Sequence, residues 1–279
     1  MQLLDGKALA AEIEGRIAEE VRSLAHRGIT PGLAVILVGN DPASQAYVRM
    51  KAKACKRAGI YSITHEMPEN TTQPQLLNAI AILNNDPNID GILVQLPLPK
   101  HINTATILEA IAPHKDVDGF HPHNIGRIAA NLTGFAPATP AGIMRLLEHY
   151  KIDPQGKNAT IVGASNIVGK PLASLLLNAN ATTTICHIHT QDLASHTREA
   201  DILCVGVGKP NLITESMVKE GAVVIDIGIN RLSDGSLVGD VDFEHVAPKC
   251  SFITPVPGGV GPMTIASLLE NTIKAAKNR

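Results

Sequence analysis

The sequence predicts an α/β protein of two three-layer domains, the second of them doubly wound. Three observations carry this expectation. Short apolar runs alternate with helix-periodic segments in two separate series, the pattern of βαβ units and parallel sheets. Aromatic residues are only 3% and tryptophan is absent, so a core drawn from the 44% apolar residues is aliphatic, as buried parallel strands require. A glycine-bearing turn, "IVGASNIVGKP" (161–171), joins a strand to a helix.

The first series begins at Pro31. "GLAVILVG" (32–39) reads as a buried strand, and "NDP" (40–42) opens a helix that Gly59 ends. "YSITHEMP" (61–68) is a weaker strand, "TQPQLLNAIAILNND" (72–86) a helix with Leu76, Leu77, Ile80 and Leu83 on one side, "GILVQLPLP" (91–99) another buried strand, and "TATILEAIAP" (104–113) a helix. A connecting segment follows, loop-rich from His121 and helical around 140–150. The second series runs strand "NATIVG", helix "VGKPLASLLLNA", strand "ATTTICH", helix "DLASHTREA", strand "DILCVGVG", helix "TESMVKEG", strand "AVVIDIG", turn "SDGS" (233–236) and strand "SFITPV" (251–256). A last helix, "GPMTIASLLENTIKAAK", is long enough to return to the first domain. The expected domains are 1–119, completed by 262–279, and 140–256.

Composition excludes several classes. The formal net charge is -2 with no basic block, so no nucleic-acid partner is expected. The N-terminus is charged throughout, without a signal-peptide core, and no apolar run reaches membrane-spanning length. The four cysteines stand far apart with no C-x-x-C, which speaks against disulfides and zinc and for a reducing, cytoplasmic setting.

Within the helix of residues 42–58, about 100° per residue gathers Ala43, Tyr47, Met50, Ala54 and Ala58 on one face and Arg49, Lys53 and Lys56 on the other. Lys51 breaks the pattern, lying between Tyr47 and Cys55 near the middle of the apolar stripe. Either its stem packs at the core edge and its ammonium reaches water, or its amine is held in a cleft, where desolvation lowers its pKa and fits it for proton transfer. Gln95 is the polar residue near the carboxyl end of an apolar strand. It either faces solvent or serves as a buried partner to a neighbouring lysine.

"HKDVDGFHPHN" (114–124) crowds three histidines and two aspartates, but His121 and His123 are interrupted by Pro122 and no further ligands follow at metal spacing, so no metal site is expected. Asp118 is read as a turn acceptor or a ligand-holding carboxylate. "TPVPGGVGPMT" (254–264) is either a rigid turn or a loop whose backbone approaches a ligand. In 161–171 the glycines are Gly163 and Gly169, with Ser165 where a dinucleotide fingerprint has its second glycine. They either cradle a pyrophosphate at the helix N-terminus or merely let strand and helix pack closely. The next strand ends in His187 and His189 with no carboxylate, which favours NADP over NAD, whose ribose an acidic residue holds there.

"YVRMK", "VQLPLP", "KDVDGFHP", "VGASNIVGKP", "VIDIGIN" and "TPVPGGVGPMT" occur in this order along the chain. Together they resemble the bifunctional methylenetetrahydrofolate dehydrogenase/methenyltetrahydrofolate cyclohydrolase family over essentially the whole length. The resemblance implies a folate-binding catalytic domain, a Rossmann-type NAD(P)-binding domain, a cleft between them, and a homodimer. It implies oxidation of 5,10-methylenetetrahydrofolate to the methenyl compound with NADP, then hydrolysis to 10-formyltetrahydrofolate. It places the catalytic lysine on Lys51 with Gln95, Tyr47 and Asp118 beside it, all four also binding the folate, the folate-covering loop on Pro257, Gly258 and Gly259, and the dinucleotide on Gly163, Ala164, Ser165 and Ile229. That settles the reading of Lys51 for the cleft. The chain departs from the family's pattern at Ala164, where many members carry an arginine that grips the 2′-phosphate, and at Ile188 and His189, where a serine and a cation are usual.

Overall fold

The structure, a computed structural model, describes residues 1–279. In chain order its elements are β1 (Gln2–Leu3), α1 (Gly6–His26), β2 (Gly32–Val38), α2 (Pro42–Ala58), β3 (Tyr61–Met67), α3 (Gln73–Asn85), β4 (Gly91–Val94), α4 (Thr104–Ala110), α5 (Pro122–Ala129) and α6 (Ala138–His149). There follow β5 (Asn158–Val162), α7 (Gly169–Asn178), β6 (Thr182–Cys186), α8 (Leu193–Arg198), β7 (Ile202–Val205), β8 (Val223–Asp226), β9 (Asn230–Arg231), β10 (Leu237–Val238), α9 (Phe243–Val246), β11 (Phe252–Ile253) and α10 (Val260–Lys277). Two compact units result: one of residues 11–127, 133–138 and 265–279, the other of 1–10, 128–132 and 139–264. No helix is long and apolar enough to cross a membrane.

The first unit is built on a three-stranded parallel sheet, β3-β2-β4. Every residue of β2 is buried, because helices cover both its faces and strand alternation sends successive side chains to opposite sides. Ala34, Ile36 and Val38 meet Leu76, Ile80 and Leu83 of α3 and Ile107 of α4 in one cluster. The sheet edge, β3, is largely exposed. α2 starts where the Asp41 side chain accepts the Ser44 N–H at 2.8 Å, with Pro42 as its first residue, and stops at Gly59 in the left-handed region (φ +76°). These are the standard signals for both ends. The C-terminal helix belongs to this unit from Ile265 on: Asn271 Nδ2 donates to the carbonyls of Val117 (2.8 Å) and Ala136 (3.0 Å), and Lys274 to that of Gly134.

The second unit carries a six-stranded parallel sheet in the order β1-β11-β8-β7-β5-β6. After β6 the chain crosses back to place β7 on the other side of β5, which makes the carboxyl ends of β5 and β7 the topological switch point. β1 supplies an edge strand that no periodicity in the first five residues announces, since a two-residue strand carries no period.

Three expectations need correcting. The segment 214–221 is not a helix. Only a 3₁₀ turn forms at Glu215–Met217, because Val218 is drawn into the core and Gly221 turns with positive φ. The connection after His121 is not loop-rich: Pro122 starts helix α5, and it follows a turn held by a buried aspartate described below. In α2 the buried face is Ser44, Val48, Lys51, Ala54, Cys55 and Ala58, whereas Met50 is 44% exposed. Lys51 thus lies more centrally on the buried face than period alone implies.

Candidate active site

Lys51 is 7% exposed, among the few buried charged residues of the molecule. Its Nζ donates to Gln95 Oε1 at 3.0 Å. Gln95 follows directly on β4, and its own Nε2 donates to the Leu96 carbonyl at 2.8 Å, which fixes the amide so that its oxygen faces the lysine. Leu96–Pro97 is a cis peptide. Burial pushes the Lys51 amine down from its ordinary value, opposed by the Asp118 carboxylate and, less, by Cys55 one turn along the helix. Tyr47, one turn before, is half-buried. Burial pushes its phenol up, and it makes no hydrogen bond to Lys51.

Asp118 reaches this group from the turn between α4 and α5. Burial raises its carboxyl to about 6; the Lys51 charge pulls it down and Asp116 pushes it up. Its oxygens accept no hydrogen bond from the protein, so they are open to a ligand's N–H groups. Asp116, two residues earlier, is the opposite case. It is 1% exposed and accepts from the Phe120 N–H (3.1 Å), the His121 N–H (2.8 Å) and Asn124 Nδ2 (2.8 Å). It shapes the turn on which Asp118 sits, and Asn271 fastens the Val117 carbonyl between them. The sequence reading missed Asp116 because a carboxylate that binds backbone and one that awaits a ligand look alike in "KDVDG". His121 Nδ1 accepts the His123 N–H at 3.0 Å, a local turn contact rather than a ligand set.

In the other unit, Gly258 takes φ +111° and Val256–Pro257 is cis. The Gly258 carbonyl accepts the Lys7 N–H at 2.8 Å. A Cβ on Gly259 would stand 2.6 Å from Thr254 Cβ, and one on Gly6 would stand 1.8 Å from the Gly259 oxygen, so backbone packs on backbone through this loop. Pro257 is exposed and Gly258 partly so.

At the switch point Gly163 has φ +124°, and a Cβ there would stand 2.4 Å from the Gly206 oxygen. A Cβ on Gly169 would stand 1.8 Å from the Gly163 oxygen. Both glycines therefore serve close packing of the turn, and that same closeness leaves Ala164 and Ser165 projecting at the helix N-terminus. Ser165 Oγ accepts the Val168 N–H (3.2 Å) and the Gly169 N–H (3.3 Å). Ile229, after β8, is 41% exposed. Past the end of β6, the His187 N–H donates to Thr190 Oγ1 at 2.8 Å and the His189 N–H to His187 Nδ1 at 3.2 Å, leaving both rings exposed; the carboxylate that follows in the chain, Asp192, caps α8 by accepting the Ser195 N–H.

Residues 4–118 match the model of the tetrahydrofolate dehydrogenase/cyclohydrolase catalytic domain, and residues 137–279 that of the family's NAD(P)-binding domain. The chain belongs to the tetrahydrofolate dehydrogenase/cyclohydrolase family. It is 84% identical to the bifunctional protein FolD of Wolinella succinogenes over 280 residues, covering 100% of this chain and 98% of that one. The crystal structure of the bifunctional FolD enzyme of Campylobacter jejuni, 58% identical, superposes with a TM-score of 0.99 over 100% of this chain and 99% of that one. The Trypanosoma brucei FolD structure, complexed with NADP cofactor and inhibitor, is 38% identical with a TM-score of 0.95, covering 98% and 96%. Two parallel-sheet domains, one catalytic and one NAD(P)-binding, are thus the family's architecture and this chain's.

Proposed function

We propose that this chain oxidises 5,10-methylenetetrahydrofolate to the methenyl compound with NADP and hydrolyses that product to 10-formyltetrahydrofolate, with Lys51 as the proton carrier of the hydrolytic step. The two activities are those of the family to which the chain belongs. The observation that carries the role of Lys51 is its burial with a single protein acceptor, the Gln95 amide oxygen at 3.0 Å.

A bound nicotinamide ring supplies the hydride acceptor for the first step. The protein's part in that step is to hold the folate in place: the Asp118 carboxylate accepts hydrogen bonds from the pterin amino and ring N–H groups, and Tyr47 packs against the folate. The family resemblance assigns a further part in folate binding to Pro257, Gly258 and Gly259. In the second step water attacks the methenyl carbon. The Lys51 amine, its basicity lowered by burial, takes a proton from that water and returns one to the leaving ring nitrogen as the ring opens. Gln95 keeps the amine aimed, and the Asp118 charge limits how far its basicity falls. The turn at 163–165 fits a dinucleotide pyrophosphate: close packing through Gly163 and Gly169 holds it against the N-terminus of α7, an end that favours anions. Exposed His187 and His189 at the end of β6, the place where an NAD-binding domain holds the ribose with a carboxylate, support NADP over NAD, as does the NADP complex of the Trypanosoma relative.

Lys51→Met tests the reading. Methenyl absorbance should stay constant when the variant is given methenyltetrahydrofolate, beyond the uncatalysed rate. Hydrolysis at the unaltered protein's rate would remove the lysine from the mechanism. Initial rates with NADP and NAD at equal low concentration test the cofactor. A homodimer, which the family resemblance supports, is tested by light scattering on the eluting protein.

A further inference from the structure

The mechanism leaves unused two buried carboxylates at the carboxyl edge of the six-stranded sheet. Asp240 is 0% exposed. Its Oδ2 accepts two successive backbone N–H groups, Val207 at 2.6 Å and Gly208 at 2.9 Å, and its Oδ1 accepts Asn230 Nδ2 at 2.8 Å. Asp226 is 3% exposed. It accepts the N–H groups of Gly228 and Asp240, both at 3.0 Å, and of Val241 at 2.9 Å. Thr254 Oγ1 in turn accepts the Asp226 N–H at 2.7 Å. The two carboxylates leave no room for side chains beside them. A Cβ on Gly228 would stand 2.3 Å from Asp240 Oδ1, and one on Gly239 would stand 1.8 Å from Asp226 Oδ2.

These bonds run in series. Asp226 fixes the backbone of residue 240, and the side chain of residue 240 fixes the loop 206–208. That loop leaves β7 at the switch point, and its Gly206 oxygen lies against Gly163, the first glycine of the dinucleotide turn. Asn230, the third partner of Asp240, adjoins Ile229. One side chain therefore sets two of the loops that border the place where an open parallel sheet binds its nucleotide. Burying a carboxylate is costly unless it is fully hydrogen-bonded. An apolar side chain would pack this spot without that cost, but it would not hold two N–H groups and an amide at fixed positions.

We propose that Asp240 is a positioning residue for the dinucleotide, acting through the loops 206–208 and 228–230. The inference rests on the reading of this unit as the NADP site. The test is Asp240→Asn, which keeps shape but offers one acceptor oxygen, so either the loop N–H groups or Asn230 must face an NH₂. Misplacement of this kind reduces rates by up to about 100-fold. We expect kcat/KM of the dehydrogenase to fall about 10- to 100-fold, mostly through KM for NADP, with NADPH fluorescence titration showing the same weakening. Cyclohydrolase activity, which needs no dinucleotide, should remain within twofold. Asn230→Ala, which removes only the partner of Oδ1, should show the same one-sided loss at a smaller size, and it decides the matter if Asp240→Asn does not fold. Equal loss of both activities, or an unchanged KM for NADP, overturns the proposal. Failure of the unaltered protein to bind NADPH would instead overturn the reading of the site.

Discussion

Replacing Asp118 by asparagine should make the protein more stable at neutral pH while depriving it of its substrate. The carboxyl is raised from 3.8 to about 6, chiefly by burial. At about 1.36 kcal/mol per unit, holding it ionised at pH 7 costs the folded state at most about 3 kcal/mol. The side chain is partly open to water, so screening reduces this to roughly 1–2 kcal/mol. The sign follows from the two titrations. The folded carboxyl keeps its proton up to about 6, whereas the unfolded one releases it near 3.8. Its favourable contribution is therefore complete below pH 3.8 and is lost as the pH rises through 6. Asparagine imitates the protonated form at every pH. Thermal melts of the ligand-free protein and the variant should coincide near pH 4 and separate as pH rises. By pH 7–8 the variant should melt about 2–8 °C higher, at about 2–4 °C per kcal/mol for a chain of this size class. In the assay the same variant should lose at least about 100-fold in kcat/KM for the folate, the loss expected from removing charge-assisted hydrogen bonds. In the unaltered protein kcat/KM should decline as pH falls below 6. A variant equal to or less stable than the unaltered protein at pH 8 would refute the argument, because the carboxylate would then be satisfied by the protein rather than waiting for a ligand.

Gln95→Met, close in volume to the original, removes the lone protein acceptor of Lys51. It should lower the cyclohydrolase rate about 10- to 100-fold, the value of one hydrogen bond to a charged group, and leave the dehydrogenase within a few-fold, both read from methenyl absorbance. Gly169→Ala would place its Cβ 1.8 Å from the Gly163 oxygen. The forced backbone shift should destabilise the second unit by about 1–3 kcal/mol, seen in urea melts, and raise KM for NADP with little change in the cyclohydrolase.

Much of the fold is legible in the chain because parallel strands buried on both faces read as continuous apolar runs, and "GLAVILVG", "GILV" and "DILCV" do so. Elements without a period of their own are not legible: β1 at Gln2–Leu3, the hairpin β9–β10 on either side of the expected turn, and α5, whose start depends on the turn that Asp116 holds. Lys51 stood out because a charge within an apolar stripe is a local contradiction. Asp116, Asp226 and Asp240 did not, since a buried carboxylate satisfied by distant backbone has no local signature.

The sequence by itself determined the alternation, the ends of α2, and the presence of a lysine, a strand-end glutamine and a glycine turn, all of which depend on neighbours within a few residues. Only the tertiary structure decided which stripe of α2 is buried, leaving Met50 outside and Lys51 at the centre, and joined Lys51 to a glutamine 44 positions away. It alone separated the aspartates that bind backbone from the one left open. The physical reason is that dihedral preference and side-chain period act locally, whereas desolvation and hydrogen-bond satisfaction depend on what the sheet order brings alongside.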